Sequence, residues 1–214
     1  MITASDISAL RAATGVGMMD CKAALEEAGG DKEKAAELLR KKGLMKAAKR
    51  ADKVAAEGMI GSYIHAGGRV GVLLELNCET DFVARTEGFV NLMKDIALHI
   101  AAANPKYVER SEVSPQLLEK EREIYGAQLK SQGKPEAMIE NILKGKLEKF
   151  YEEICLLEQP FIKDEGKKIQ ALLAEKTAET GEKISVRRFV RYELGEGIVK
   201  QEKNFADEVA EQLK

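Results

Sequence analysis

The sequence predicts an α+β fold, and three observations carry the prediction. About the first fifty residues show only helical periodicity, broken by glycine-rich stops. Near Glu57 the apolar period drops from 3.6 to 2, and after two long charged helical stretches the period of 2 returns around Ile184. The expected architecture is a three-helix domain over residues 1–43, a helical linker over 44–56 and a core built from 57–113 and 162–198. A helical hairpin over 114–161 is inserted in that core, and a helical module over 199–214 follows it.

Taken in order, Ser5 is placed to cap a helix carrying Ile7, Leu10 and Arg11, which Thr14-Gly15-Val16-Gly17 stops. Met18, Cys21, Ala24, Leu25 and Ala28 stripe a second helix, and Gly29-Gly30 ends it. Asp31 caps a third, with Ala35, Leu38 and Leu39 as its apolar stripe and Lys41, Lys42 and Gly43 at its end. Residues 57–65 alternate as a strand. Ala66-Gly67-Gly68-Arg69 forms the turn, and Val70, Val72, Leu74 and Leu76 line one face of the return strand. Phe89, Val90, Met93, Ile96, Ala97 and Ile100 stripe a helix fit to cover that hairpin. Pro115 suits the first turn of a helix containing Leu118, Tyr125 and Leu129, and Ser131-Gln132-Gly133-Lys134-Pro135 turns the chain into a helix striped by Ile139, Ile142, Leu143, Phe150 and Ile154. This pair is expected to form an antiparallel coiled coil projecting as an arm. A helix over 169–176 then precedes a third strand carrying Ile184, Val186, Val190, Tyr192 and Leu194, and Asn204 caps a terminal helix.

Composition narrows the function. Lys and Arg number 34 against 36 Asp and Glu, a net charge of −2, so the basic face of a nucleic-acid binder is missing from the balance. Aromatics make up 5% with no Trp, which argues against a base-stacking surface. The cysteines Cys21, Cys78 and Cys155 are odd in number and far apart, so neither a disulfide scaffold nor a zinc site is expected. No apolar run approaches the ~20 residues that span a bilayer. A reduced, cytoplasmic protein without metal, cofactor, membrane or direct nucleic-acid partner is the expectation. Gly67-Gly68-Arg69 is no phosphate loop, because it continues directly into a strand. No constellation recruits a base to Cys78, and neither His65 nor His99 has a partner at a diagnostic spacing.

One segment departs from the structural pattern. In Glu75-Leu76-Asn77-Cys78-Glu79-Thr80-Asp81-Phe82-Val83-Ala84-Arg85 the strand runs into a polar turn and then into Phe82-Val83. Thr80 or Asp81 can cap a new helical turn there. Phe82 is then either a hydrophobic staple under the helix start or an aromatic anchor for a partner's pocket, and pattern does not choose between them.

That segment, together with Leu10-Arg11 and Thr14-Gly15-Val16-Gly17-Met18-Met19-Asp20-Cys21-Lys22-Ala23-Ala24-Leu25, resembles the two signatures of the elongation factor Ts family. The likeness continues through Gly133-Lys134-Pro135, Gln159-Pro160-Phe161 and Gly195-Glu196-Gly197. The resemblance implies a short form of a guanine-nucleotide exchange factor for elongation factor Tu, with a ubiquitin-associated-like N-terminal domain. It implies partner contacts at Met18 and Met19, and at His99 on the long helix. It further implies that Thr80, Asp81, Phe82 and Val83 dislodge the Mg²⁺ held at the partner's nucleotide site, with no metal bound by this chain. A three-stranded sheet covered by helices on one face leaves an open face, including Leu73 and Phe189, for a homodimer. The competing reading is a ubiquitin-associated-type adaptor or helical-arm chaperone without exchange activity, which has no use for the segment from Thr80 to Val83.

Overall fold

The computed structural model describes residues 2–198. The terminal helix expected over 199–214, with its cap at Asn204, lies outside the described residues. Three helices come first, α1 (Ala4–Thr14), α2 (Met18–Glu27) and α3 (Lys32–Lys49). The cap of α1 is Thr3 rather than Ser5. Thr3 Oγ1 accepts from the Asp6 N–H while the Thr3 N–H donates to the Asp6 carboxylate, so two of the helix's orphan donors are satisfied reciprocally. Asp31 caps α3 through the N–H groups of Glu33 and Lys34, at 3.0 and 3.1 Å. Leu10, Cys21, Ala24, Leu25, Ala35 and Leu39 close a small core between the three. The third helix does not end at Gly43. That glycine is buried, and a Cβ on it would stand 3.0 Å from the Ala178 Cβ. It sits at a close helix–helix approach and is not a stop, so α3 carries on through the segment expected to be a separate linker.

The sheet has the order β1-β2-β5, all antiparallel, from β1 (Glu57–Ile64), β2 (Val70–Cys78) and β5 (Ser185–Glu193). Between β2 and β5 lie α4 (Asp81–Ala84), α5 (Glu87–Ala103), α6 (Pro115–Ser131), α7 (Glu136–Ile154), β3 (Pro160–Phe161), β4 (Asp164–Lys168) and α8 (Ile169–Thr180). Leu74 and Leu76 on the inner face of β2 pack with Phe89, Ile96 and Ile100 of α5 and Ile169 of α8, all buried. Each such side chain stabilises the fold by roughly 1.5–3 kcal/mol. Register corrects one assignment. Phe189 pairs with Leu74 and packs against the core, while Val190 pairs with Leu73 on the open face. Strand residues two apart share a face, so Leu73 and Phe189 cannot both be open. The open face carries Ile60, Ile64, Leu73, Val190 and Tyr192, all exposed.

The two-stranded ribbon β3–β4 is absent from the sequence-based expectation, because Asp-Glu-Gly-Lys-Lys shows no apolar alternation. The α6–α7 pair packs on Leu129, Ile139 and Leu143, with Arg122 paired to Glu140 at 2.7 Å near mid-length. Its base is tied down by the Lys106 and Tyr107 N–H groups, both donating to the Ile154 carbonyl. Arg110 adds to this anchorage. It donates to Glu158 at 2.7 Å and to both oxygens of Glu148, and its guanidinium lies 4.5 Å from the centre of the Tyr151 ring.

Candidate partner-binding site

The site is built at the C-terminal end of β2. Cys78 is fully buried at the last strand position, and its thiol donates to the Thr80 carbonyl at 3.1 Å. Burial pushes that thiol's pKa up, which keeps it a neutral donor. Thr80 takes extended backbone angles as the N-cap of α4, the role its side chain predicts. Val83 packs against the main core and Ala84 is buried, so the single turn of α4 is held from beneath. Thr86 then caps α5 through the Phe89 N–H, at 3.2 Å, and its hydroxyl donates to the Val83 carbonyl at 2.8 Å.

With Val83 and Ala84 turned inward, Phe82 is left outside at 79% exposure. A staple would be covered, and Phe82 is not, which removes the first of the two sequence-based readings. Asp81 beside it pairs with Arg85 at 2.8 Å across one helical turn. The ring is thus accessible from solvent and carried on a turn whose next two residues pack inward.

Two carboxylates hold the turn from behind. Thr80 donates twice to Glu182, its N–H at 3.0 Å to one oxygen and its hydroxyl at 2.7 Å to the other. Glu79 accepts from Arg50 at 2.7 and 2.8 Å and from the Lys183 N–H at 2.7 Å. The Lys183 N–H and the Arg50 guanidinium hold the Glu79 carboxyl below the usual carboxylate range. The Lys183 ammonium donates in turn to the carbonyls of Ala51 and Lys53, at 2.6 and 3.0 Å. Sequence reasoning missed Glu182, Arg50 and Lys183. Partners separated by 29 to 132 positions leave no local signature.

Met18 and Met19 open α2, 47% and 77% exposed, where the α1–α2 connection borders the end of α8. Gly15 of that connection lines one cleft with Thr86, Phe89, Glu179 and Ile184, a cleft that Met18, Met19 and Phe82 do not line. His99 does not join them. It is 1% exposed, and the Ile162 N–H donates to its Nδ1 at 3.3 Å. That leaves the proton on Nε2, which lies 3.0 Å from Gln159 Oε1. The expectation that His99 meets a partner is corrected: it faces inward from α5 as a satisfied core histidine, its pKa lowered by burial. Among the described residues no group of three His, Cys, Asp or Glu side chains could hold a metal ion, and no helix is long and apolar enough to cross a membrane.

A family model described as Elongation factor TS matches residues 20–196. The chain is 59% identical over 213 residues to Elongation factor Ts of Desulforamulus reducens, covering all of this chain and 98% of that protein. It is 61% identical over 202 residues to Elongation factor Ts of Moorella thermoacetica, covering 94% of this chain and all of the relative. Against Elongation factor Ts of Geobacter metallireducens it is 59% identical over 209 residues, 98% of this chain and 97% of that protein. With a matching model over most of its length and near full-length relatives at this identity, the chain belongs to the elongation factor Ts family of nucleotide exchange factors.

Proposed function

We propose that the chain binds elongation factor Tu, GDP-bound and nucleotide-free, and speeds GDP release by driving Phe82 between side chains that support the partner's Mg²⁺ and phosphate site. The single observation that supports this most is the exposure of Phe82 on a turn braced from behind. A GTPase holds its nucleotide through phosphate-loop amides and through Mg²⁺ bridging the phosphates, so loosening the ion weakens the largest electrostatic clamp. Thr80, Asp81 and Val83 shape and seat the wedge, and Met18 and Met19 supply a polarizable second contact. Coupling is reciprocal: the factor that weakens nucleotide binding is itself expelled when GTP arrives. No bond is made or broken, so the chain promotes exchange without setting its direction.

On this reading residues 1–43 serve as a ubiquitin-associated-like module whose last helix continues to Lys49. The 114–161 hairpin is a coiled-coil arm, and the work is done in the cytoplasm with the translation machinery. The exposed side chains Ile60, Ile64, Leu73, Val190 and Tyr192 fit burial against a second copy of the chain. Light scattering at micromolar concentration should then give twice the 23.6 kDa chain mass, and a monomer removes the homodimer. The exchange role is tested by mixing the protein with elongation factor Tu carrying a fluorescent GDP. Release accelerates with added protein, and a rate unchanged at saturation overturns the proposal in favour of a plain adaptor.

A further inference from the structure

We propose that Glu182 is a positioning residue for the wedge, and that with the Arg50–Glu79 pair it clamps the Phe82 turn in its docking geometry before any partner arrives. The inference rests on the wedge reading above. The turn from Glu79 to Arg85 is short, exposed at its tip and carried by a single turn of helix. One such turn has almost no stability of its own. What fixes it comes from elsewhere in the chain. Glu182, in the connection between α8 and β5, receives both donors of Thr80, one to each oxygen. One position further on, the backbone of Lys183 donates to Glu79, whose other donor is Arg50 at the end of α3. The Lys183 ammonium closes the circuit onto the carbonyls of Ala51 and Lys53. The end of α3, the α8–β5 connection and the start of the wedge are thus one hydrogen-bonded knot, and none of its side chains is Phe82.

A knot of this kind matters to a wedge for an energetic reason. Prying side chains apart in another protein requires that the inserted group not yield first. Any freedom the turn has when unbound must also be surrendered on docking, a cost paid for each side chain ordered and for the backbone that carries it. Glu182 has the shape needed: two acceptor oxygens facing two donors on one residue, both of which an alanine there would leave without this partner. Arg50 supplies the second brace with a charge-assisted contact, the stronger class of hydrogen bond. The arrangement also gives the N-terminal helices a mechanical connection to the wedge, through the last turn of α3.

The test is a double-mutant cycle in the fluorescent GDP release assay, using the full chain. Glu182→Ala is expected to lower the maximal release rate at saturating protein by about 5–10-fold, with a smaller change in the concentration giving half-maximal effect. In a Phe82→Ala background the same substitution should change the rate less than twofold, because the clamp then has nothing to position. Arg50→Gln, at a half-exposed side chain, should act in the same direction and lose its effect in the same background. It carries the test if Glu182→Ala proves unfolded by circular dichroism. An equal loss in both backgrounds assigns these residues a role unconnected with Phe82 and overturns the inference while leaving the wedge intact. Full activity of both folded variants overturns it as well. If Phe82→Ala alone leaves release unchanged, it is the wedge reading that fails.

Discussion

Replacing Phe82 by alanine should slow stimulated GDP release by about 30-fold or more while leaving the protein folded. That factor corresponds to ~2 kcal/mol, the scale of an interface anchor truncated to its Cβ. The ring is 79% exposed, so its removal opens no cavity and leaves the half-buried Val83 and the buried Ala84 in place. The expected thermal unfolding curve is that of the unchanged protein, since surface substitutions of this kind usually fall within about 0.5 kcal/mol. The informative quantity is how the loss divides. If Phe82 acts by prying, the maximal rate at saturating protein falls. If it contributes adhesion alone, only the concentration for half-maximal effect rises, and the rate at saturation is kept. Phe82→Leu, which keeps bulk without the flat ring, should fall between the two. Stopped-flow release across a concentration series reads all three, and a saturating rate for Phe82→Ala within twofold of the parent removes the wedge.

The second large effect is on stability. Gly58→Ala is expected to destabilise the fold by about 3 kcal/mol or more, a fall of ~6–12 °C in Tm for a chain of this size. Gly58 sits early in β1 with φ at +139°, where L side chains are rarely found. A Cβ there would lie 2.7 Å from the Asn77 Cα and closer still to the Leu76 carbonyl oxygen, both main-chain atoms of the paired strand. Neither can rotate away as a side-chain tip would. The control is Gly67, in the hairpin turn at φ +85° with open space where its Cβ would be. Gly67→Ala carries only the conformational penalty, about 1 kcal/mol. Thermal denaturation of the two variants separates close approach from backbone strain, and equal losses would put the whole effect on φ.

Elements with a strong local pattern were legible in the sequence. The stripe from Phe89 to Ile100 predicts α5, Gly67-Gly68 predicts the β1–β2 turn, and Pro115 and Asp31 predict the starts of α6 and α3. Misassignments arose where a residue's role is set by something distant. Gly43 reads as a stop because glycine usually is one, and only Ala178 against it explains why the helix continues. His99 sits on a helix the family resemblance made a contact surface, and its inward face becomes visible only with Gln159 and Ile162 in place. In the candidate site, residues 80–83 were legible as an anomaly, a phenylalanine amid polar residues at a strand end. Their bracing was not. One glutamate, one arginine and one lysine, each far from the turn in sequence, carry no periodicity to find.

The root of the α6–α7 pair has a consequence for how the chain folds. Its two ends, at Lys106–Tyr107 and Ile154, meet through hydrogen bonds of 2.8 and 3.1 Å. The long excursion between them therefore enters and leaves the core at nearly one point. For the remainder of the chain those residues act as a closed loop, and loop-closure entropy grows only with the logarithm of loop length. The central strand β2 can pair with β1 at once, but it must wait for β5, whose partners lie more than a hundred positions away. An arm that shuts on itself through local contacts shortens the effective distance between those strands, so the order of assembly runs from hairpins to sheet.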